Sequence, residues 1–353
     1  GLTVCPVAAL PGKRMTASNG KWQSTLRSGL ARWCTTVGSC SVHGVHVERL
    51  RPSCPLLLLS GATPGPFYHS HPHDPSQFDH LHFDMASQVR ANLKTVRDIL
   101  DALGENELPF HLDGGCIERS RRHAQLLHWV SNRGQGFAAN ARVTADISRA
   151  ACKELGMGLA TTLATFETSG NVSDRRFLIE TFAMFGLEGA ELGQTAETVR
   201  VDLVSQFDAV DEESSVYSVG GQRHFMPYVP AYAVCGPADL ALFSLSAASG
   251  ERSAPRSGEE QVHLAIDKLL RVLSTLGATF DGVALLWNRV ADLDAHEEAV
   301  LMSRARRGLT RPLAEAVLEV ADADPNSHAP DGTPLAIEYI VVAQVPRRRA
   351  GSD

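Results

Sequence analysis

Apolar residues recur at helical spacing after Ser257: Val262, Ala265, Ile266, Leu269, Leu273 and Leu276 share one face, and Gly277 stops the run. Ser257 and Glu260 match the Ser-x-x-Glu pattern of a capping box, so a helix is expected over 257–277. The run Gly282 to Val290, GVALLWNRV, then reads as a buried strand. Asp294 with Glu297 opens a second helix ending near Gly308, and AEAVLEV (314–320) and PLAIEYIVVAQV (334–345) alternate as strands. The predicted order is helix, strand, helix, strand, strand.

A similar punctuation occurs about 120 residues upstream. A helix from near Asn140 stops at Gly156, LATTLATFE (159–167) reads as a strand, Asp174 caps an expected helix ending at Gly186, and AETVRVDLV (196–204) reads as the next strand. AQLLHWVSNRG (124–134) is set against DLALFSLSAASG (239–250), with Ser131 against Ser246. This reads as an internal duplication. It divides the chain into a tail (1–32), a partial strand-and-helix segment (33–104), a first module (105–211), a second module (212–346) and a closing tail (347–353). Within 33–104, SCSVHGVHVERL and PLLLLS are expected strands, and Val89, Leu93, Val96, Leu100 and Leu103 mark a helix that begins at Asp84 and closes at Gly104. The first 32 residues lack an apolar period and are expected to be a flexible tail rather than a transit peptide, with Met15 as a candidate start.

With 353 residues, 44% hydrophobic and 21% charged, the chain is long enough for two ordinary cores. A net charge of -7 gives no basic surface for nucleic acid, and the longest aliphatic run, Leu56 to Leu59, is too short to cross a bilayer. Neither nucleic acid nor membrane is therefore an expected partner. Seven cysteines without a C-x-x-C pair read as reduced thiols, which favours the cytoplasm.

Candidate chemistry falls in two places. Glu338 alternates with Ala336, Ile340, Val342 and Gln344 on one strand face, where apolar neighbours would raise the pKa of its carboxyl and suit it to general acid work; the competing reading is a carboxylate held by an arginine at an interface. The segment 67–84 holds His69, His71, His73, His80 and His82. Its alternating imidazoles could bind a metal or supply an acid or base from a lid, or they could be incidental on a surface loop. Of these, His71 and His73 are taken as catalytic candidates without a metal. There is no phosphate-cradling glycine loop and no nucleophile elbow.

PYVPAYAV, FSLSAASG, EEQVHLAIDKLLRVLSTLG, VALLWNRVADLD and IEYIVVAQV resemble, in this order, the RidA (YjgF) family. A short leading segment followed by two such modules is similar to the chorismatases. The resemblance implies an α+β fold, two tandem modules each with a mixed sheet carrying two helices on one face, and a barrel-like homotrimer with clefts between modules or subunits. It also implies a cofactor-free site for a small-molecule substrate: Glu338 and Tyr228 as catalytic groups, with Arg289, Asn288, Trp287 and Ser246 as binding residues. Where imine deaminases of the family carry an arginine, this chain has Glu315 and, in the first module, Glu197. TLATFETSGN replaces the aromatic-rich strand of chorismatases, and Ala336 the first acidic residue of the closing strand. The expected function is acid-base catalysis on a small unsaturated cyclic or enolic substrate, by elimination, hydrolysis or ring closure with aromatisation, in specialised metabolism. An imine deaminase and a non-catalytic metabolite-binding protein are the alternatives.

Overall fold

A computed structural model describes residues 25–65, 75–102, 116–121, 123–157, 162–171, 175–191, 197–201, 216–219, 222–225, 231–309, 314–320 and 328–347. In chain order the elements are β1 (Cys34–Val42), β2 (Val45–Pro52), β3 (Leu56–Leu59), α1 (Met85–Ala102), α2 (Cys116–Arg121), β4 (Gln125–Ser131), α3 (Phe137–Glu154), β5 (Thr162–Asn171), β6 (Ile179–Gly186), β7 (Glu197–Val201), β8 (Val216–Val219), β9 (Gln222–Phe225), β10 (Ala231–Cys235), β11 (Asp239–Ser246), α4 (Gly258–Thr275), β12 (Val283–Val290), α5 (Leu293–Ala305), β13 (Ala314–Val320) and β14 (Ile337–Val345). No described helix is long and apolar enough to cross a membrane.

The local reasons are those the pattern predicts. The Ser257 hydroxyl accepts from the Glu260 amide and caps α4, whose apolar face is buried, and β12 and β14 are buried along their whole length. Asp292, two residues before the expected cap, accepts from the Ala295 amide and starts α5. The expected helix over 174–186 is, from Ile179 to Gly186, the strand β6 instead. Every residue of IETFAMFG is buried, so no polar stripe exists to betray a period, and the run pairs antiparallel with β3 and β4.

Twelve strands form one sheet in the order β1-β2-β11-β14-β12-β13-β5-β4-β6-β3-β10-β7, and β8 and β9 pair separately. The order reads the same from either end. An outer antiparallel pair, third strand, last strand, fourth strand and fifth strand follow in each half, and the parallel pairs are β12 with β13 in one half and β4 with β5 in the other. The halves join where the ends of β13 and β5 pair, Leu318 with Asn171 and Glu319 with Gly170.

This pairing corrects the boundaries read from the sequence. The hairpin β1-β2, assigned to the partial segment, lies against β11, and β10, assigned to the second module, lies against β3. Each outer pair thus precedes one half in sequence and joins the sheet of the other. The repeat also aligns differently: β4 occupies the place of β12, not of β11. Gln88 and Gln261 mark the equivalence. The Gln88 carboxamide accepts from the Leu178 amide and donates to the Arg176 carbonyl, and Gln261 does the same to Ala336 and Pro334, fastening the entry to β6 and β14 respectively.

Four layers result. Helices α1 and α3 cover one half-sheet, α4 and α5 cover the other, and the two helix-free faces pack on each other. That central layer interleaves Trp129, Phe166 and Phe182 of one half with Trp287 of the other, whose ring lies 4.8 Å from Phe182 and 5.9 Å from Trp129. Val37 is the one large hydrophobic side chain exposed among the described residues. The helix-free apolar face of each half is thus covered within the chain.

Beneath α1 and α3, His128 is fully buried between the Thr181 hydroxyl at 3.0 Å and the Ser148 hydroxyl at 3.3 Å, and Asn92 donates to the same threonine. Burial pushes its pKa down to about 4. An unfolded histidine takes its proton first as pH falls, so the contribution of the neutral ring is complete above about pH 6.5 and is lost toward pH 4, about 3 kcal/mol in all. Asn288 stands at the equivalent position in β12, and His128→Asn is expected to flatten the loss of stability between those pH values in urea denaturation.

Candidate functional site

Three predicted site residues lie in one row across the sheet. Ser246 ends β11, opposite it on β14 is Glu338, and opposite Glu338 on β12 is Arg289. Strand alternation turns Arg289 and Glu338 to the central layer, where the Arg289 guanidinium donates to a Glu338 carboxylate oxygen in a short hydrogen bond. Arg289 is 3% exposed and Glu338 8%, so both members of the pair are buried, the carboxylate the more open of the two. Glu338 is thus paired with an arginine, as the competing reading has it, but within the chain and on the adjacent strand rather than at a subunit interface.

The other half supplies the floor. The Arg289 guanidinium carbon lies 5.9 Å from the centroid of the Trp129 ring, and Trp129 pairs across β4 and β6 with Glu180. Glu180 is the counterpart of Glu338: Val130 with Ile179 and Val290 with Ile337 are the equivalent preceding pairs. The first half thus places a tryptophan where the second places an arginine. Burial pushes the Glu180 carboxyl up to about 8. Its oxygen packs on Gly61 so closely that a Cβ there would lie 1.5 Å from it.

Ser246 joins the row by its main chain only. Its hydroxyl accepts from the Ala248 amide at 3.2 Å and its amide donates to the Ser249 hydroxyl, forming the turn after β11. The buried Lys268 amine donates to the Ala247 and Ser249 carbonyls, both at 2.7 Å, and pins that turn. Trp287 is central core one row deeper than the ion pair. Asn288 faces away, toward the helices, and gives its amide protons to Glu315 at 2.8 Å and to the Ala316 carbonyl at 2.9 Å. Glu315 is held by Arg304 of α5, so this acidic residue has its cation on the helix side.

Tyr228, His69, His71 and His73 lie outside the described residues, as does the side chain of Glu197. His80 and His82 are exposed. Among the described residues no three His, Cys, Asp or Glu side chains are grouped to hold a metal ion. Burial pushes the Cys34 thiol up to about 12 and those of Cys54 and Cys152 to about 11, which leaves them poor nucleophiles at neutral pH.

Sequence reasoning missed Trp129 and Glu180. Glu180 was hidden in the expected helix, yet Leu178-Ile179-Glu180 echoes Ala336-Ile337-Glu338, and that shared Ile-Glu step was the available signal.

No sequence profile of a known family matches the chain, and no curated protein matches it. Solved structures do resemble it in part. A member of the YjgF/YER057c/UK114 family from Mycobacterium tuberculosis is 18% identical, over 42% of this chain and all of that one, with a TM-score of 0.23. A YjgF-family protein from Neisseria meningitidis is 18% identical over 35% of this chain and 89% of its own, with a TM-score of 0.24. The yeast protein YEO7 is 16% identical over 31% and 80%, with a TM-score of 0.25. At these scores no argument rests on them, and each of the three matches less than half of this chain.

Proposed function

We propose that the chain is a chorismatase-like enzyme built on two RidA-like modules, acting without a cofactor on a small unsaturated cyclic or enolic carboxylic acid. The observation that supports this reading is the buried row of Glu338 and Arg289 facing Trp129 across the two halves. A guanidinium beside an apolar layer suits a substrate carboxylate, which it can grip through two N–H groups. When the substrate takes Arg289, Glu338 is released from its partner beside the bound molecule and carries the proton of an elimination or hydrolysis. The aromatic layer excludes water and offers a flat wall to an unsaturated ring.

The test is to incubate the full chain with cyclic dienoic acids that bear hydroxyl or enol-ether leaving groups, and with 2-iminopropionate generated in place. Formation of an aromatic acid or pyruvate from the first set supports the proposal. Ammonia released faster than the spontaneous rate, with the cyclic acids untouched, would replace it with an imine deaminase. The burial of the pair favours a second reading, a non-catalytic protein that binds such acids: calorimetric binding with the ligand recovered unchanged would establish that one. The homotrimer belongs to the same family-based proposal, and sedimentation velocity of the full chain at micromolar concentration decides it.

A further inference from the structure

We propose that β1 is the contact surface for a second copy of this chain: two molecules join their β1 edges antiparallel about a two-fold axis at Cys40, so that one sheet runs through both. β1 ends the twelve-stranded sheet and pairs with β2 alone among the described strands. Between its buried ends, Cys34 and Val42, every residue from Thr35 to Ser39 is exposed, as is Ser41, and Cys40 is half-buried. The strand, CTTVGSCSV, carries neither a charge nor a proline, the usual means of blunting a free edge. Val37, the one large hydrophobic side chain exposed among the described residues, belongs to it.

The phase of the hairpin fixes which main-chain groups this edge offers. His43 and Gly44, with φ of 50° and 77°, close a two-residue turn, so Val42 and Val45 form a hydrogen-bonded pair. Alternation then makes hydrogen-bonded pairs of Cys40 with Val47 and of Gly38 with Arg49. It leaves Ser39 and Ser41 with their N–H and C=O groups pointing away from β2. Beyond the bulge between Thr36 and Gly38, the Ser53 amide donates to the Trp33 carbonyl at 2.8 Å, which turns the Thr35 main chain inward and that of Thr36 outward. The bulge interrupts the outward series at Val37 and twists the strand there, so regular pairing on the free side is confined to 38–42.

One symmetric register fits these groups. With the axis at Cys40, Ser39 of each chain faces Ser41 of the other and the two exchange both main-chain hydrogen bonds. An axis at Ser39 would set Ser41 against the bulge, and one at Ser41 would set Ser39 against the turn. The two Cys40 residues then stand opposite each other as a non-hydrogen-bonded pair with Cα atoms about 4.5 Å apart, inside the range of about 4.4 to 6.8 Å that a disulfide spans. A second copy suits this edge because identical uncharged strands meet without like charges, and because a two-fold contact closes. Adding β1 of one molecule to β7, at the far end of the sheet of the next, would instead build an open filament. So short a pairing makes the contact reversible.

The test uses the full chain and two variants. Ser39→Pro removes an outward N–H and leaves the ladder to β2 intact, and Ser39→Lys sets a charge near its own symmetry mate; thermal unfolding checks that each folds as the wild type does. In sedimentation equilibrium of the reduced protein at about 100 µM, the wild type is expected to have about twice the mass of either folded variant, whatever assembly the variants themselves form. Brief oxidation with diamide, whose diazene takes up the two thiol hydrogens, is expected to join wild-type chains by a Cys40 to Cys40 bond, about 10-fold faster than in the variants. Equal masses for the wild type and a folded variant, a bond from Cys40 to a different cysteine, or equal rates of joining would overturn the contact. A mass that climbs without limit as concentration rises would replace it with the open filament. None of these outcomes touches the reading of Arg289 and Glu338.

Discussion

Glu338→Gln is expected to lower turnover on the true substrate by about 10² to 10⁴ per folded molecule and to lower the melting temperature as well, because the buried Arg289 cation loses its counter-charge. The amide still accepts from the Arg289 guanidinium, so the contact across β12 and β14 survives as a hydrogen bond to a neutral group and the fold is retained. What disappears is the capacity to take and return a proton. The control is Arg289→Lys, which keeps the charge and loses the fork. It is expected to raise KM more than it lowers kcat, because gripping a carboxylate contributes to binding before it contributes to the reaction. Wild-type turnover in Glu338→Gln would return the pair to a purely structural role.

The largest stability effect is expected on the opposite face of the same half-sheet. Arg304 is 2% exposed and holds both oxygens of Glu315, to which Asn288 also donates. Tyr339 lies beside them with its hydroxyl pushed above the ordinary phenol range by burial. Arg304→Met removes the cation and leaves Glu315 mostly buried with only an amide to stabilise its charge. Losing one member of a buried pair costs about 3 to 5 kcal/mol, and the double variant Arg304→Met with Glu315→Met is expected to recover most of it. Urea denaturation of the wild type, the single and the double variant reads both numbers; a single variant within 1 kcal/mol of the wild type would show that solvent reaches Glu315 freely.

Much of the second half was legible in the sequence because its punctuation is explicit. Ser257 caps, Gly277 stops, and the alternation around Glu338 assigns its face correctly. The first half hides its strands. IETFAMFG is buried on both sides and carries no period, and QLLHWVS and DLALFSLS are both fully buried runs that look alike although they occupy different places in the sheet. The alignment that would have corrected this lies in the helices: MASQVRANLKTVRDILDALG matches GEEQVHLAIDKLLRVLSTLG at Gln88 with Gln261, Val89 with Val262 and Leu100 with Leu273. The partner of Glu338 could not be read from the sequence, since which strand lies opposite β14 is decided by long-range pairing. Nor could Trp129, which reaches the site only because two half-sheets fold onto each other.

The exchanged outer strands also set the order in which this molecule can be completed during synthesis. Leu50 of β2 pairs with Leu240, 190 residues later, so the amino-terminal hairpin leaves the ribosome long before its neighbour in the sheet exists. The first half likewise waits for β10 to seal β3. Contacts of such sequence separation make folding slow and leave the Cys34–Pro52 hairpin as an open edge in the nascent chain. A cut between residues 211 and 212 would not release two independent domains, because each fragment would carry the outer strands that the other needs; the fragments should fold only together, as a complemented pair.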